Sequence, residues 1–286
     1  MLKRNKIKPV WKFSQKGNLW KFVFAGNKYI AGETRDITDK TLYLFSIRIS
    51  DGRKMLTDFK FDNGNYWISV EAANEKYIFL SRFENPELPY PKNIISLEIE
   101  TGECMWENSD YIFYFCTENM LYGYKRKFET VEYAELDPAT GIVIRVIPEN
   151  ENPLISELKT KSDEDLLSEY YDYPKSNSLH PAVPSVAELI ESETNGKEIN
   201  GEIEYILKKG KLLFNYYVKT APDMKDIARN CWKNIFCIYD IEQRKKIFEE
   251  TLNERSSYNV PDNFFSRGDY LFYLVGKKEL KAILLK

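Results

Sequence analysis

Histidine is nearly absent: the 286 residues hold one, His180. A Ser-His-Asp or Cys-His catalytic arrangement would have to be built around it. It stands between Leu179 and Pro181, in a proline-flanked run that reads as an exposed loop, where an ordinary surface histidine is expected. Cysteine is also scarce, limited to Cys104, Cys116, Cys231 and Cys237. Zinc sites need clustered Cys and His, whereas each of these lies in or beside an apolar strand-like run, where Cys packs as a small hydrophobe. Cys231 and Cys237 bracket one such run, face the same side of a sheet, and are expected to pack there as reduced thiols. The glycines are single and sit at hairpins, so no glycine-rich phosphate loop exists. No alternating Asp/Asn calcium loop is found either. No metal and no cofactor is expected, and the reading leans away from an enzyme. Long apolar runs are missing: none approaches the roughly 18 residues that span a bilayer. The N-terminus lacks the apolar core of a signal peptide. No membrane association is therefore expected, and a soluble cytoplasmic protein is. A basic excess is lacking too. The net charge is −3, which points away from nucleic acid, and the short basic start (Lys3, Arg4, Lys6, Lys8) reads as a solubilising tail.

Aromatic residues are plentiful at 15% of the chain, and Tyr and Phe favour strands. The stretch Lys76–Trp106 sets the pattern. Tyr77-Ile78-Phe79-Leu80 precedes a loop with Pro86, Pro89 and Pro91. Ile94-Ile95-Ser96-Leu97-Glu98-Ile99 then turns at Thr101-Gly102 into Cys104-Met105-Trp106. Versions of this recur. The turns Ile49-Ser50-Asp51-Gly52, Ile99-Glu100-Thr101-Gly102 and Leu136-Asp137-Pro138-Ala139-Thr140-Gly141 align. They are spaced roughly 40–50 residues apart, the period of a four-stranded propeller blade. A tight hairpin needs positive φ, which glycine adopts without steric cost. After Pro148 the rhythm fails. Ser162-Asp163-Glu164-Asp165 reads as a helix start, and Ser185-Val186-Ala187-Glu188 as a second capping box. Asn195-Gly196 and Asn200-Gly201 close the insert. Near Asp240–Arg244 the blade turn has lost its glycine. The expectation is an all-β chain forming a single β-propeller domain over 1–286. Its five four-stranded blades are placed at about 19–61, 66–107, 111–147, 202–252 and 263–286 plus 9–14. The N-terminal strand closes the last blade, and residues 152–200 form an insert with two short helices. A pair of β-sandwich domains split near 150–200 is the other architecture these runs allow.

At Leu97–Trp106 and Leu136–Val146 the chain resembles the quinoprotein-type (PQQ-like) propeller repeat, one of the WD40/YVTN-like repeat types. In that repeat a strand ends at an Asp-x-x-Thr-Gly-like turn. The chain as a whole also resembles an uncharacterised bacterial family of propeller-like proteins, a domain of unknown function. That likeness rests on Glu33-Thr34-Arg35-Asp36, Tyr66-Trp67-Ile68-Ser69, Glu100–Trp106 and the Tyr/Pro-rich insert before Glu202. It implies a fold and no activity.

Two groups of residues stand out for function. Glu33, Asp36 and Glu71 fall near strand ends beside Arg35 and Trp67. Arg82 and Arg126 follow inner-strand candidates. All seven could line a central funnel, a natural small-molecule site, or form ordinary salt-bridged loops. Tyr170, Tyr171, Tyr173 and His180 lie on the insert, and tyrosines of this kind anchor protein partners. The insert could equally be a cap covering a gap between blades. The primary expectation is a non-catalytic binding scaffold docking a protein through 152–200. The alternative is a small-molecule binder or hydrolase using the funnel, with Glu33, Arg35 and Asp36 as its polar groups.

Overall fold

Alternating aromatic and β-branched runs form strands nearly throughout the computed structural model, which describes residues 7–85, 88–168, 171–220, 231–260 and 263–286. The chain begins with a short strand, β1 (Trp11–Phe13). Contacts gather the chain into two compact units, Ser14–Leu167 and Met1–Phe13 with Ser168–Lys286.

The 14–167 unit holds three antiparallel sheets. The first runs in order through β2 (Asn18–Ala25), β3 (Tyr29–Asp36), β4 (Thr41–Arg48) and β5 (Lys54–Phe59). In the second, β6 (Ile68–Ala73) pairs with β7 (Tyr77–Asn85), which also pairs with the short β8 (Leu88–Pro91). The sheet continues through β9 (Ile94–Glu98) to β10 (Cys104–Asn108). The third is β11 (Ile112–Cys116), β12 (Leu121–Arg126), β13 (Val131–Leu136) and β14 (Val143–Val146). Helix α1 (Asn152–Ser168) follows, and its Ile155 packs with Phe115, Tyr122 and Ile147.

The three aligned turns are alike in atomic detail. Gly52, Gly102 and Gly141 have φ of 69°, 75° and 68°. Their N–H groups donate to the carbonyls of Arg48, Glu98 and Asp137, each at 2.8 Å. Two of these turns also pack on the preceding sheet. A Cβ on Gly102 would lie 2.7 Å from the Phe59 ring, and one on Gly141 would lie 2.5 Å from Trp106. Trp106 Nε1 donates to the Pro138 carbonyl at 3.0 Å, so the indole is held at the turn by its polar edge as well as by its face.

The second unit holds two sheets. Its short strands β15 (Tyr171–Asp172) and β16 (Lys175–Ser176) precede α2 (Pro184–Thr194). Strands β17 (Ile199–Lys208), β18 (Lys211–Lys219), β19 (Trp232–Asp240) and β20 (Lys245–Ser256) form one sheet, extended by β16. Strands β21 (Phe264–Arg267), β22 (Tyr270–Val275) and β23 (Glu279–Leu284) form the other. It is extended by β15 on one side and completed by β1 against β23 on the other. Trp11 and Phe13 are buried there. The glycine-less turn is closed by Arg244, which itself takes the left-handed conformation at φ 47°.

The insert differs from its expected form. Helix α1 starts at Asn152, ahead of the Ser162–Asp165 box, because Pro153 suits a first helical turn where an N–H is not needed. Ser162 therefore lies inside a helix. Ser185 does not cap α2 either: Val183 is the cap residue and makes no side-chain bond, with Pro184 inside the first turn. Val186, Leu189 and Ile190, which fall on one face at helical spacing, are buried. Asn200 and Gly201 belong to β17, where Gly201 has φ 71° at a register shift between Asn200 and Glu204. They bend a strand instead of ending an insert. Cys104, expected to be buried, is exposed, while Cys237 is buried.

Candidate functional sites

In the 14–167 unit, β3 is buried along nearly its whole length. It carries Glu33 with no exposed surface and Arg35 at 9%. A buried charge must be paired and hydrogen-bonded, and both are. Arg35 donates from Nε (3.0 Å) and Nη2 (2.7 Å) to Glu33 Oε1. It also donates from Nη1 to the Tyr66 carbonyl (3.1 Å) and from Nη2 to the Ile68 carbonyl (2.9 Å). Glu33 Oε2 accepts the Val70 N–H at 2.7 Å. The guanidinium also lies against the rings of Trp20 (5.3 Å) and Tyr66 (5.0 Å). Burial pushes the Glu33 carboxyl above its ordinary range, against the pull of Arg35 and the Val70 N–H. The arrangement ties β3 to β6 and leaves the pair's polar atoms engaged with the protein.

The other funnel candidates have partners of their own. Asp36 lies at the end of β3 and accepts the N–H groups of Thr38 and Asp39 within its turn. Trp67 packs edge-to-face on Tyr66 at 5.5 Å. Glu71 faces Lys21 at 3.7 Å. Arg82 bridges Asp62 (3.3 Å) and Glu107 (2.6 Å). Arg126 lies over the Tyr90 ring at 5.1 Å, beside an open hollow also lined by Lys92, Ile112 and Tyr124. The structure thus brings Glu33 and Arg35 into direct contact, sets Trp67 beside their Tyr66 partner, and gives Asp36, Glu71, Arg82 and Arg126 separate environments.

In the other unit, Tyr170 lies outside the described residues. Tyr173 stacks on Tyr171 (5.9 Å) and on Phe265 (5.8 Å), and Tyr171 packs tilted against Phe265 (6.1 Å). Burial pushes the Tyr171 hydroxyl up to about 12, against the nearby Arg267. His180 is exposed, and its backbone is held at both ends. Its N–H donates to the Ser176 carbonyl (2.8 Å), and its carbonyl accepts Tyr205 Oη (2.9 Å). Asn177 Oδ1 accepts the Ala182 N–H at 3.0 Å. Ser176 and Ser178 both donate to Glu202. The segment is pinned, yet Tyr173, Leu179 and Val183 stand 41%, 75% and 56% exposed.

One polar cluster has no signature in the sequence. Glu193, near the end of α2, accepts hydrogen bonds from Tyr216 Oη (2.9 Å), Tyr239 Oη (2.5 Å), Lys197 Nζ (2.9 Å) and Lys246 Nζ (2.8 Å). Burial alone would raise its carboxyl. The bonds from Lys246, Tyr239 and Lys197 outweigh it and hold the group down at about 2. Burial works against the Lys246 ammonium, but Glu193 and Glu249 overcome it and lift the group to about 12. Glu193, Cys237 and Glu249 place three potential metal-ligand atoms within 4.8 Å of one another. Lys246 bonds both carboxylates and already supplies the positive charge a cation would bring. Burial raises the Cys237 thiol further from its reactive form. Apart from Lys197, four residues after Glu193, these residues come from α2, β18, β19 and β20, so no local spacing could have revealed the cluster.

Comparison with known proteins finds a family match over part of the chain. Residues 25–106 match the family model described as "Domain of unknown function (DUF4905)". That match contains Glu33, Arg35, Asp36, Trp67, Glu71 and Arg82 and ends at Trp106. No curated protein matches the chain. Among solved structures, BamB from Moraxella catarrhalis is similar at 9% identity and a TM-score of 0.29, over 98% of this chain and 100% of that one. The Dos1 propeller is similar at 12% identity and a TM-score of 0.28, over 94% and 62%. A eukaryotic initiation factor is similar at 10% identity and a TM-score of 0.33, over 83% and 56%. Among the described residues, no helix is long and apolar enough to cross a membrane.

Proposed function

We propose that the protein is a non-catalytic binding scaffold that docks a protein partner through the segment 171–184. The observation that carries this reading is the pairing of exposure with restraint. Tyr173, Leu179 and Val183 present apolar side chains to solvent from a backbone fixed by β15, β16, Asn177 and the Tyr205–His180 bond. A group of exposed apolar side chains marks an interaction surface. A fixed one loses little conformational freedom when a partner covers it. The partner is a protein offering apolar side chains, and His180 stands at the edge of the contact. The five antiparallel sheets are taken as the blades of one β-propeller in the cytoplasm, with β1 closing the last of them. The repeat of the Gly102 and Gly141 turns against the preceding sheet supports that architecture.

The test compares the tagged chain with a Leu179→Asp/Val183→Asp variant in recovery from native cells, read by quantitative mass spectrometry. Both substitutions are at exposed positions, so folding should be unchanged by circular dichroism. A partner recovered in near-equal amount with the parent chain and lost with the variant supports the reading. Equal recovery with both would overturn it. Glu33→Gln should leave the interaction intact.

A further inference from the structure

Asparagine followed by glycine occurs three times in the chain, at Asn63-Gly64, Asn195-Gly196 and Asn200-Gly201. The pair is self-reactive. With no side chain on the glycine, its backbone nitrogen meets little hindrance in reaching the asparagine Cγ. In a folded chain the reaction depends on how freely the peptide unit between the two residues turns.

Two of the three are held. Asn63 and Gly64 lie in a left-handed turn with φ of 54° and 78°, closed by the Asn65 N–H on the Asp62 carbonyl at 3.1 Å. Gly64 is buried, and a Cβ there would meet the Thr41 side chain at 2.8 Å. Asn200 lies in β17, paired with Tyr217 of β18. Its Nδ2 donates to Asn259 Oδ1 and its carbonyl accepts Asn259 Nδ2, each at 3.0 Å.

Asn195-Gly196 is built differently. Both residues are exposed, and nothing lies within 4 Å of a Cβ placed on Gly196. They are the central residues of a turn closed by the Lys197 N–H on the Thr194 carbonyl at 3.0 Å. Asn195 has φ −55° and ψ 132°, and Gly196 has φ 73°, the type II form. The turn is anchored on both sides. The Asn195 N–H donates to the Glu191 carbonyl (2.8 Å), and Lys197 Nζ donates to Glu193 (2.9 Å) and Tyr216 Oη (2.6 Å). Its central peptide is free to rotate between the type II and type I forms, which share the same ends. In one of its two senses that rotation carries the Gly196 nitrogen past Asn195 Cγ.

We infer that Asn195 is a site of spontaneous covalent modification, the one of the three that reacts in the folded protein. The Gly196 nitrogen gives its proton to hydroxide and attacks Asn195 Cγ. A new C–N bond forms, the Cγ–Nδ2 bond breaks, and Nδ2 takes a proton from water and leaves as ammonia. Water then opens the cyclic imide at either carbonyl. One product is aspartate at 195; the other is isoaspartate, whose main chain runs through Cβ and Cγ. Both set a carboxylate just past the end of α2, where the helix dipole disfavours negative charge. The isoaspartate also lengthens the chain between Glu193 and Lys197, and so withdraws one of the two ammonium groups that Glu193 holds. This site is separate from the docking segment, and either assignment can fail alone.

The experiment incubates the full chain in mildly alkaline heavy-oxygen water, folded and in urea. Peptide mapping by mass spectrometry follows the three sites, with electron-transfer fragmentation to separate aspartate from isoaspartate. In the folded chain Asn195 converts about tenfold or more faster than Asn63 and Asn200, a ratio set by local opening. In urea the three rates converge, since each asparagine precedes a glycine. The isolated isoaspartate form melts below the Asn195→Asp variant, which carries the same charge on an ordinary backbone. Three results would overturn the inference: Asn63 or Asn200 converting as fast as Asn195 in the folded chain, Asn195 converting only in urea, or an isoaspartate form that melts with the Asn195→Asp variant.

Discussion

Arg35 shows how much one residue can be asked to hold. It answers a buried carboxylate, two backbone carbonyls and two aromatic faces. Arg35→Met leaves the buried Glu33 carboxyl without its partner, which costs about 3–5 kcal/mol by the usual penalty for breaking a buried pair. Urea unfolding measures it. Glu33→Leu in the same chain should recover a large part of the loss, because the unpartnered buried carboxyl is then gone. Glu193 gives a pH test with a definite sign. Its folded-state carboxyl lies at about 2 against an ordinary 4.5. The stability it contributes is complete above the ordinary value and is lost as pH falls from there toward the folded one. Glu193→Gln should lower the urea midpoint at neutral pH and flatten its decline across that acid window. The sequence set Glu33 beside Arg35 near a strand end; it did not show that both are buried within β3, nor that the guanidinium's other partners are the carbonyls of Tyr66 and Ile68, since main-chain acceptors look the same at every residue.

At the scale of elements, the turns carried the legible information. Gly52, Gly102 and Gly141 aligned in the sequence because each must take positive φ, and their hydrogen bonds coincide. The insert was less legible. Two-residue strands such as β15 and β16 have no periodicity to detect, and a proline-started helix imitates a loop until its later turns. The same turns make a paired prediction. Gly141→Ala places a methyl group against Trp106 in a left-handed residue, and costs about 1–3 kcal/mol. Arg244 is the reverse case, a side chain held in that conformation. Arg244→Gly should stabilise the chain by up to about 1 kcal/mol. Its exposed ion pair with Glu188 at 2.8 Å is worth little against that gain. Thermal melts of the two variants should move in opposite directions.

At the scale of the whole molecule, the pairing of β1 with β23 is the feature with the widest reach. Trp11 packs on Phe272 at 6.0 Å, and Phe13 is 1% exposed. Phe13→Ala should cost about 3–5 kcal/mol. A chain lacking residues 1–13 should expose the β23 edge and self-associate, which light scattering would detect. The pairing also sets an order of events at the ribosome. Four sheets can form as their strands emerge, since their partners follow one another in the chain. The last sheet cannot, because β1 leaves the tunnel long before β23, its mate, which is separated from it by all the other strands. At ordinary elongation rates that wait is on the order of tens of seconds. Throughout it Trp11 and Phe13 are uncovered, so the newborn chain carries an apolar hook that a chaperone could hold until the final strand arrives.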